Sequence, residues 1–297
     1  GKTRLSIELA KCLRGEIVSA DSRLFYKGMD IGTAKPTIEE RREVPHHLID
    51  VELPNNNISL PVFQKMAYAV IEQIHSRKKL PFLVGGTGQY IWAVVEGWQP
   101  PVNKPNNQMR NILIKWGNEI GAQELHLRLS LLDPEAAKKI ESNNLRRIVR
   151  AFEVIFESGK LFSSQKSKKS PPYPFKIIGL DCPRKELYRK IDQRIDTMIT
   201  SGFIGEVEKL LGKGFSPDLP TMSAIGYKEI ALFLEKRISL DEAVVLMKRR
   251  TRKFVRHQAN WFKKKDPRIK WFQVENCVIE RIATYICDSK YWQTPEK

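Results

Sequence analysis

The stretch LPFLVGGTGQY (80–90) runs a strand pattern straight into a glycine turn, and no other segment limits the fold as much. EIVSAD (16–21) reads as a short buried strand that ends on a carboxylate, and HHLIDV (46–51) as a further strand. Helical patterns lie between them. Leu5, Leu9 and Leu13 repeat at a spacing of four, and VFQKMAYAVIEQIHSRKK (62–79) is amphipathic, with the basic last turn that a helix C-terminus favours. Strands alternating with helices across short turns predict a parallel α/β sheet.

The alternation stops after GWQPPVNKPNN (97–107), and residues 108–160 read as helical throughout. DPEAAKKI (133–140) offers Asp133 as an N-cap with Pro134 in the first helical position. LRRIVRAFEVIFESGK (145–160) is a helix that stops near Gly159. SSQKSKKSPPYP (163–174) is polar, basic and proline-rich, and is expected to be a mobile loop. FKIIGLD (175–181) and RIKWFQV (268–274) are strand patterns in a remainder that is otherwise mostly helical. The expectation is an α/β core of residues 1–100 and 171–297, interrupted by a helical insertion at 101–170. No internal repeat is visible.

Charge narrows the partners. Lys and Arg number 51 against 34 Asp and Glu, a balance of +17 over 297 residues. That suits a polyanion, nucleic acid before a membrane surface. No run approaches the ~18 apolar residues that cross a bilayer. Cys12, Cys182, Cys277 and Cys287 form no C-x-x-C pair, fit a reducing cytoplasm, and read as inert packing residues. His46 and His47 read as packed or hydrogen-bonded rather than metal-bound, and Trp92, Trp98, Trp261 and Trp271 as core.

The chemistry concentrates at strand ends. Gly1-Lys2-Thr3 matches the last three positions of a phosphate-binding loop, G-x-x-x-x-G-K-[ST], with a helix starting at once; the chain reads as opening inside that loop. Asp21 closes the first strand, where open α/β sheets present ligand groups; the alternative is a helix cap. GTAKP (32–36) adds a basic turn around Lys35, and Thr87 centres the second glycine turn. Lys2, Asp21 and Thr87 together make a phosphate-plus-base site. Two basic helices follow. Arg146 and Arg150 share a face with Arg147 beside them. In MKRRTRKFVRHQANWFKKK (247–265), with Val244 just before it, Val244, Met247, Thr251, Phe254, Gln258 and Trp261 form a packing seam. Arg249, Arg252, Lys253 and Arg256 lie off that seam, as phosphate contacts would.

These stretches, together with ADSRLFYKGMDIGTAKP (20–36), VPHHLID (44–50), NNLRRIVRAFEV (143–154), LYRKIDQR (187–194) and AIGYKE (224–229), occur in an order that resembles the tRNA dimethylallyltransferases, also called tRNA isopentenyltransferases. The resemblance implies a P-loop NTPase-like parallel sheet core whose helical insertion grips the tRNA anticodon stem-loop. It implies transfer of a C5 prenyl group from dimethylallyl diphosphate, with Mg²⁺, to the exocyclic amine of the adenosine next to the anticodon. On that basis Asp21 is the base and Thr87 its catalytic companion. Gly1, Lys2, Thr3, Arg150, Arg194 and Lys35 hold diphosphate, and Thr3 also holds the metal. Asp21, Ser22, Arg23, Leu24, Arg146, Arg147, Arg150, Ser223, Ala224, Ile225, Gly226, Tyr227, Lys228, Arg252 and Arg256 meet tRNA. Leu24, Gln89, Asn144 and His257 depart from the usual family residues. A monomeric, cytoplasmic, bacterial-type enzyme is expected. A P-loop small-molecule kinase using ATP and a non-catalytic RNA-binding protein remain as alternatives on the residues alone.

Overall fold

The computed structural model describes residues 1–101, 106–165, 167–274 and 277–288. It divides into two compact units, Gly1–Val95 with Tyr173–Lys297, and Glu96–Pro172. The proline-rich joint at 97–107 falls partly outside the described residues.

In the first unit, helix α1 (Lys2–Cys12) leads into strand β1 (Gly15–Ser19). Helix α2 (Ile38–Glu43) and strand β2 (His46–His47) follow, then α3 (Leu60–Ser76), β3 (Leu80–Val84) and α4 (Gly88–Val95). The sheet order is β2-β1-β3 and both pairings are parallel. β1 is central and buried along its whole length, as its reading as a buried strand requires, with Glu16 and Ser19 buried beside Ile17 and Val18. Its register sets Ser19 against Val84, so the residues after each strand leave the sheet side by side. That register brings Asp21 next to the glycine turn. The strand expected at 46–51 is only two residues long. Leu48 and Asp50 adopt left-handed backbone angles (φ 59 and 55), which no extended ladder tolerates.

The same unit resumes after the insertion with β6 (Ile177–Asp181), α9 (Arg184–Thr200), α10 (Phe203–Gly212), α11 (Tyr227–Leu234), α12 (Leu240–Trp261), β7 (Ile269–Gln273) and α13 (Val278–Cys287). β6 and β7 pair in parallel. Leu9, Phe272, Val278 and Ile282 bury the face between α1, β7 and α13. The main core gathers Phe25, Phe63, Ile71, Phe203, Tyr227 and Met247.

The second unit holds β4 (Trp98–Gln99), α5 (Asn107–Ile120), α6 (Ala122–Leu132), α7 (Pro134–Ala137), α8 (Leu145–Ser158) and β5 (Ser167–Lys168). Leu125, Leu129, Ile148 and Phe152 form its core. Asp133 caps α7, its Oδ1 accepting from the Ala136 N–H at 3.0 Å, and Asn144 caps α8 by accepting from the Arg147 N–H at 3.2 Å. Asn is as good a cap as Asp, so that departure from the family pattern keeps the helix start. Gly159 ends α8 in the left-handed conformation (φ 66).

Three expectations give way. The segment expected to be a mobile loop contributes β5, which pairs antiparallel with β4 and is anchored by a Lys168–Glu96 ion pair. A strand of two residues has no periodicity to read. The cysteines are not packing residues: Cys12, Cys277 and Cys287 are exposed and Cys182 half-buried. On α12, Phe254 of the expected seam is exposed (46%) and Trp261, expected to be core, keeps 41% exposure although it packs on Gly88, whereas Met247 of the seam is buried. Trp92, by contrast, is core.

Candidate active site

α1 begins without a side-chain cap, and its first internally bonded N–H is that of Leu5, to the Gly1 carbonyl at 3.2 Å. The N–H groups before it are the partial positive end of the helix, with no acidic residue in the first turn to occupy them. Lys2 and Thr3 therefore stand where an anion is favoured.

Asp21 lies two residues beyond β1. Its Oδ1 accepts from the Arg23 N–H at 3.0 Å, a local turn rather than a helix cap. Thr87 heads α4, its carbonyl accepting from the Tyr90 and Ile91 N–H groups at 2.9 and 3.1 Å. Its Oγ1 accepts from the Ser22 N–H at 3.3 Å, which ties the two strand-end loops together. The Thr87 proton is left to donate outward.

Three cations share the field of Asp21. The protein packed around Lys2 pushes its ammonium below the usual lysine range, Asp21 opposes that, and Arg194 adds to it. Burial likewise lowers Arg194 and Arg23, again opposed by Asp21. Lys2 and Arg194 keep open surface. Burial therefore acts on them as protein density around the charged head, not as exclusion of water, and solvent moderates it. Cations crowded by protein beside one carboxylate, at a helix start, are arranged for a polyanionic ligand.

Arg23 spans the first unit. Its guanidinium donates to the Pro220 and Thr221 carbonyls, both at 3.1 Å, and to Ser223 Oγ at 3.4 Å. The 21–24 and 220–223 segments, nearly 200 positions apart in sequence, become one surface. Glu206 ties the following loop to α11: it accepts from the backbone N–H groups of Asp30, Ile31 and Gly32 at 3.0, 2.7 and 3.2 Å, and from the Tyr227 hydroxyl at 2.6 Å.

Several sequence-derived assignments are corrected here. Lys35 is not open to an anion. Its side chain is 1% exposed, and its ammonium donates to Asp30 at 2.5 Å, Asp50 at 2.6 Å and the Tyr26 carbonyl at 2.9 Å. Tyr227 is fully buried, edge-on to Phe203, and burial followed by Glu206 drives its hydroxyl far above the usual tyrosine range. Ala224 is also core. Within 223–228 the exposed residues are Ser223 and Lys228. Arg252 turns toward α9, paired with Asp192 and lying over the Tyr188 ring. Arg249, Lys253 and Arg256 are exposed. Arg146, Arg147 and Arg150 lie on α8 in the second unit, where Arg150 is 3.0 Å from the buried Glu153. His46 Nδ1 meets the Val44 carbonyl and His47 Nε2 meets Glu16, each at 2.7 Å.

Sequence reasoning missed two contributors on α12. Gln258 Nε2 donates to the Gly86 carbonyl at 3.0 Å. Trp261 lies against Gly88 so closely that an added Cβ would meet it at 2.3 Å. Gln258 and Trp261 read as members of a packing seam, and nothing in a linear pattern says that the seam packs on a turn.

Among the described residues no helix is long and apolar enough to cross a membrane, and no group of three His, Cys, Asp or Glu could cage a metal.

A parallel α/β core with a phosphate-type helix start and a carboxylate at the adjoining strand end defines a group-transfer enzyme of the P-loop class. The IPP transferase family model matches residues 24–265, and the chain belongs to that family. It is 50% identical over 264 residues to the tRNA dimethylallyltransferase of Roseiflexus sp. (strain RS-1), covering 89% of this chain and 87% of that relative. The crystal structure of the full-length tRNA isopentenylpyrophosphate transferase from Bacillus halodurans superposes with a TM-score of 0.71 at 40% identity, covering 97% of this chain and 92% of that one. A eukaryotic dimethylallyltransferase, captured acting on tRNA, shares the fold with a TM-score of 0.80 at 24% identity, covering 100% of this chain and 78% of that one. Family membership sets this chain apart from the small-molecule kinases.

Proposed function

We propose that this chain transfers a dimethylallyl group from dimethylallyl diphosphate to the exocyclic N6 amine of the adenosine adjacent to the anticodon of tRNA, releasing diphosphate. The observation that carries the reading is the meeting of Asp21, Thr87 and Lys2 at the ends of neighbouring parallel strands and the start of α1, in a chain of this family.

An adenine amine is a weak nucleophile because its lone pair is drawn into the ring. Asp21 accepts a proton from N6 as the new C–N bond forms to the first carbon of the prenyl group. The C–O bond to diphosphate breaks, and its electron pair leaves on the diphosphate oxygen. Base catalysis of this kind contributes about 10²–10⁴-fold. Charge grows on the leaving group, so Lys2, Arg194 and the α1 N–H groups stabilise the transition state more than the ground state. Thr87 donates its proton to an acceptor on one of the two substrates and keeps Ser22, and with it the Asp21 turn, in place.

Mg²⁺ prefers one or two protein oxygens, substrate phosphates and water to a protein cage. The Thr3 hydroxyl in the first turn of α1 suits that donor set. The ion would neutralise diphosphate oxygens there.

For tRNA, the surface around Ser22, Arg23, Leu24, Ser223 and Lys228 receives the adenosine turned out of its stack. Exposed Arg249, Lys253 and Arg256 meet phosphates. Arg146, Arg147 and Arg150, with the rest of the second unit, hold the anticodon stem-loop. The setting is a monomer in the cytoplasm, where tRNA is found.

The test is transfer of label from radioactive dimethylallyl diphosphate to unmodified tRNA whose anticodon is followed by adenosine. It is run with Mg²⁺ on this chain and on a version preceded by the front half of a phosphate loop. Label in tRNA from either is expected. No label from either, with ATP turnover or plain RNA binding instead, refutes the reading.

A further inference from the structure

We propose that Gln258 is a positioning residue for the transfer: its side-chain amide clamps the glycine turn that carries Thr87, and so sets the placement of Thr87 against Asp21. The inference rests on the transfer reading above and names a residue in that site.

Residues 85–88 have left β3 and have not yet closed the first turn of α4. Such a turn has few backbone bonds of its own. Three contacts define it. The Ala20 N–H donates to the Val84 carbonyl at 2.8 Å and continues the ladder to the last residue of β3. The Ser22 N–H donates to Thr87 Oγ1 at 3.3 Å. Gln258 Nε2 donates to the Gly86 carbonyl at 3.0 Å. The first two join the turn to the Asp21 loop; the third ties it to α12, an element of 22 residues that does not share the sheet.

The amide is seated on the glycine. A Cβ added to Gly86 would meet Gln258 Nε2 at 2.3 Å, and the next group in range is the Lys2 ammonium at 3.8 Å. Gly86 is thus the point where the α12 clamp, the phosphate-binding lysine and the Thr87 turn converge. One turn further along α12, Trp261 packs on Gly88, and its carbonyl accepts from Trp92 Nε1 at 3.0 Å, which locks the helix to α4. Gln258 and Trp261 are three positions apart and face the same way. Both ends of the Thr87 turn are pinned by one helix face. The Asp21–Thr87 geometry must hold to a fraction of an ångström for a near-attack arrangement, and a loosened turn costs rate more than affinity.

The test compares wild type with Gln258→Leu, which keeps the bulk and removes the donor, and Gln258→His, whose Nε2 reaches to glutamine length and can donate. Transfer is measured at saturating tRNA and dimethylallyl diphosphate, with KM for each. Amide hydrogen exchange is followed over residues 84–90. Expected for Gln258→Leu are a kcat about tenfold or more below wild type, a KM for tRNA within about twofold, and faster exchange at 85–89 with Tm unchanged. Gln258→His is expected to restore kcat to within about threefold. A Gln258→Leu enzyme with wild-type kcat, a loss that tracks the folded fraction, or exchange at 85–89 that does not change would each overturn the clamp. If wild type transfers no label, the transfer reading has failed and exchange alone decides the clamp: local acceleration upholds it, and no change overturns it.

Discussion

Asp21→Asn separates chemistry from structure at this site. The structural role of Asp21 is a single hydrogen bond, in which its Oδ1 accepts from the Arg23 N–H at 3.0 Å. The asparagine Oδ1 can accept the same bond, so the turn survives and folding stability should move by less than about 1 kcal/mol. Asparagine cannot take a proton from N6. Losing the base costs about 10²–10⁴ in rate, or about 2.7–5.4 kcal/mol in activation free energy. The substitution also deletes the carboxylate that supports the charged forms of Lys2, Arg23 and Arg194, and removes its repulsion toward diphosphate. These two effects on diphosphate oppose each other, so its affinity should change far less than the rate. The assay is single-turnover transfer at saturating tRNA and dimethylallyl diphosphate, which isolates the chemical step, beside equilibrium binding of tRNA. Asp21→Ala controls for the turn: it should lose the same rate and about 1 kcal/mol more stability. An Asp21→Asn rate within threefold of wild type, or a loss carried wholly by tRNA affinity, refutes Asp21 as the base.

Three further perturbations probe the scaffold and the RNA surface. Burial is the largest influence on Glu16 and pushes its pKa up, but hydrogen bonds from Arg77, His47 and Lys79 outweigh it and bring the carboxyl from 4.5 down to about 2. Its contribution is whole above 4.5 and is lost as pH falls toward 2. The shift sets a ceiling near ~3 kcal/mol, and nearly half-exposed Arg77 and Lys79 reduce it to about 1–2 kcal/mol. Urea unfolding of Glu16→Gln should show that deficit at pH 7 and a shrinking one below pH 4.5; a deficit independent of pH contradicts the assignment. Changing Arg249, Lys253 and Arg256 together to Gln should weaken tRNA binding and flatten its log–log salt slope by about 2–3, whereas an unaltered slope means these side chains touch no phosphate. Glu206→Ala strands three backbone N–H groups and the Tyr227 hydroxyl, and should cost about 3 kcal/mol or more by denaturant unfolding. A loss under 1 kcal/mol would mean that water replaces the carboxylate at no penalty.

Much of this protein is legible in its sequence. The α/β alternation, the glycine turn after β3, the N-cap Asp133, and the strand-end positions of Asp21 and Thr87 are local. Each depends on a residue and its neighbours within a few positions, and backbone stereochemistry enforces them wherever the chain goes. The family resemblance rests on the same short stretches. What tertiary structure alone decided is which charges are already used. Lys35 looks like an anion-binding lysine until Asp30 and Asp50 close on it. Arg252 looks like its exposed neighbours until α9 presents Asp192. Tyr227 sits in a stretch expected to meet tRNA and yet is a strut for Glu206. Arg23 joins loops nearly 200 positions apart, and Gln258 reaches a glycine 172 positions away. Local sequence fixes what a side chain can do through its chemistry. Which partner it meets depends on contacts between elements brought together by burial of apolar surface, and that burial is set by the whole chain at once.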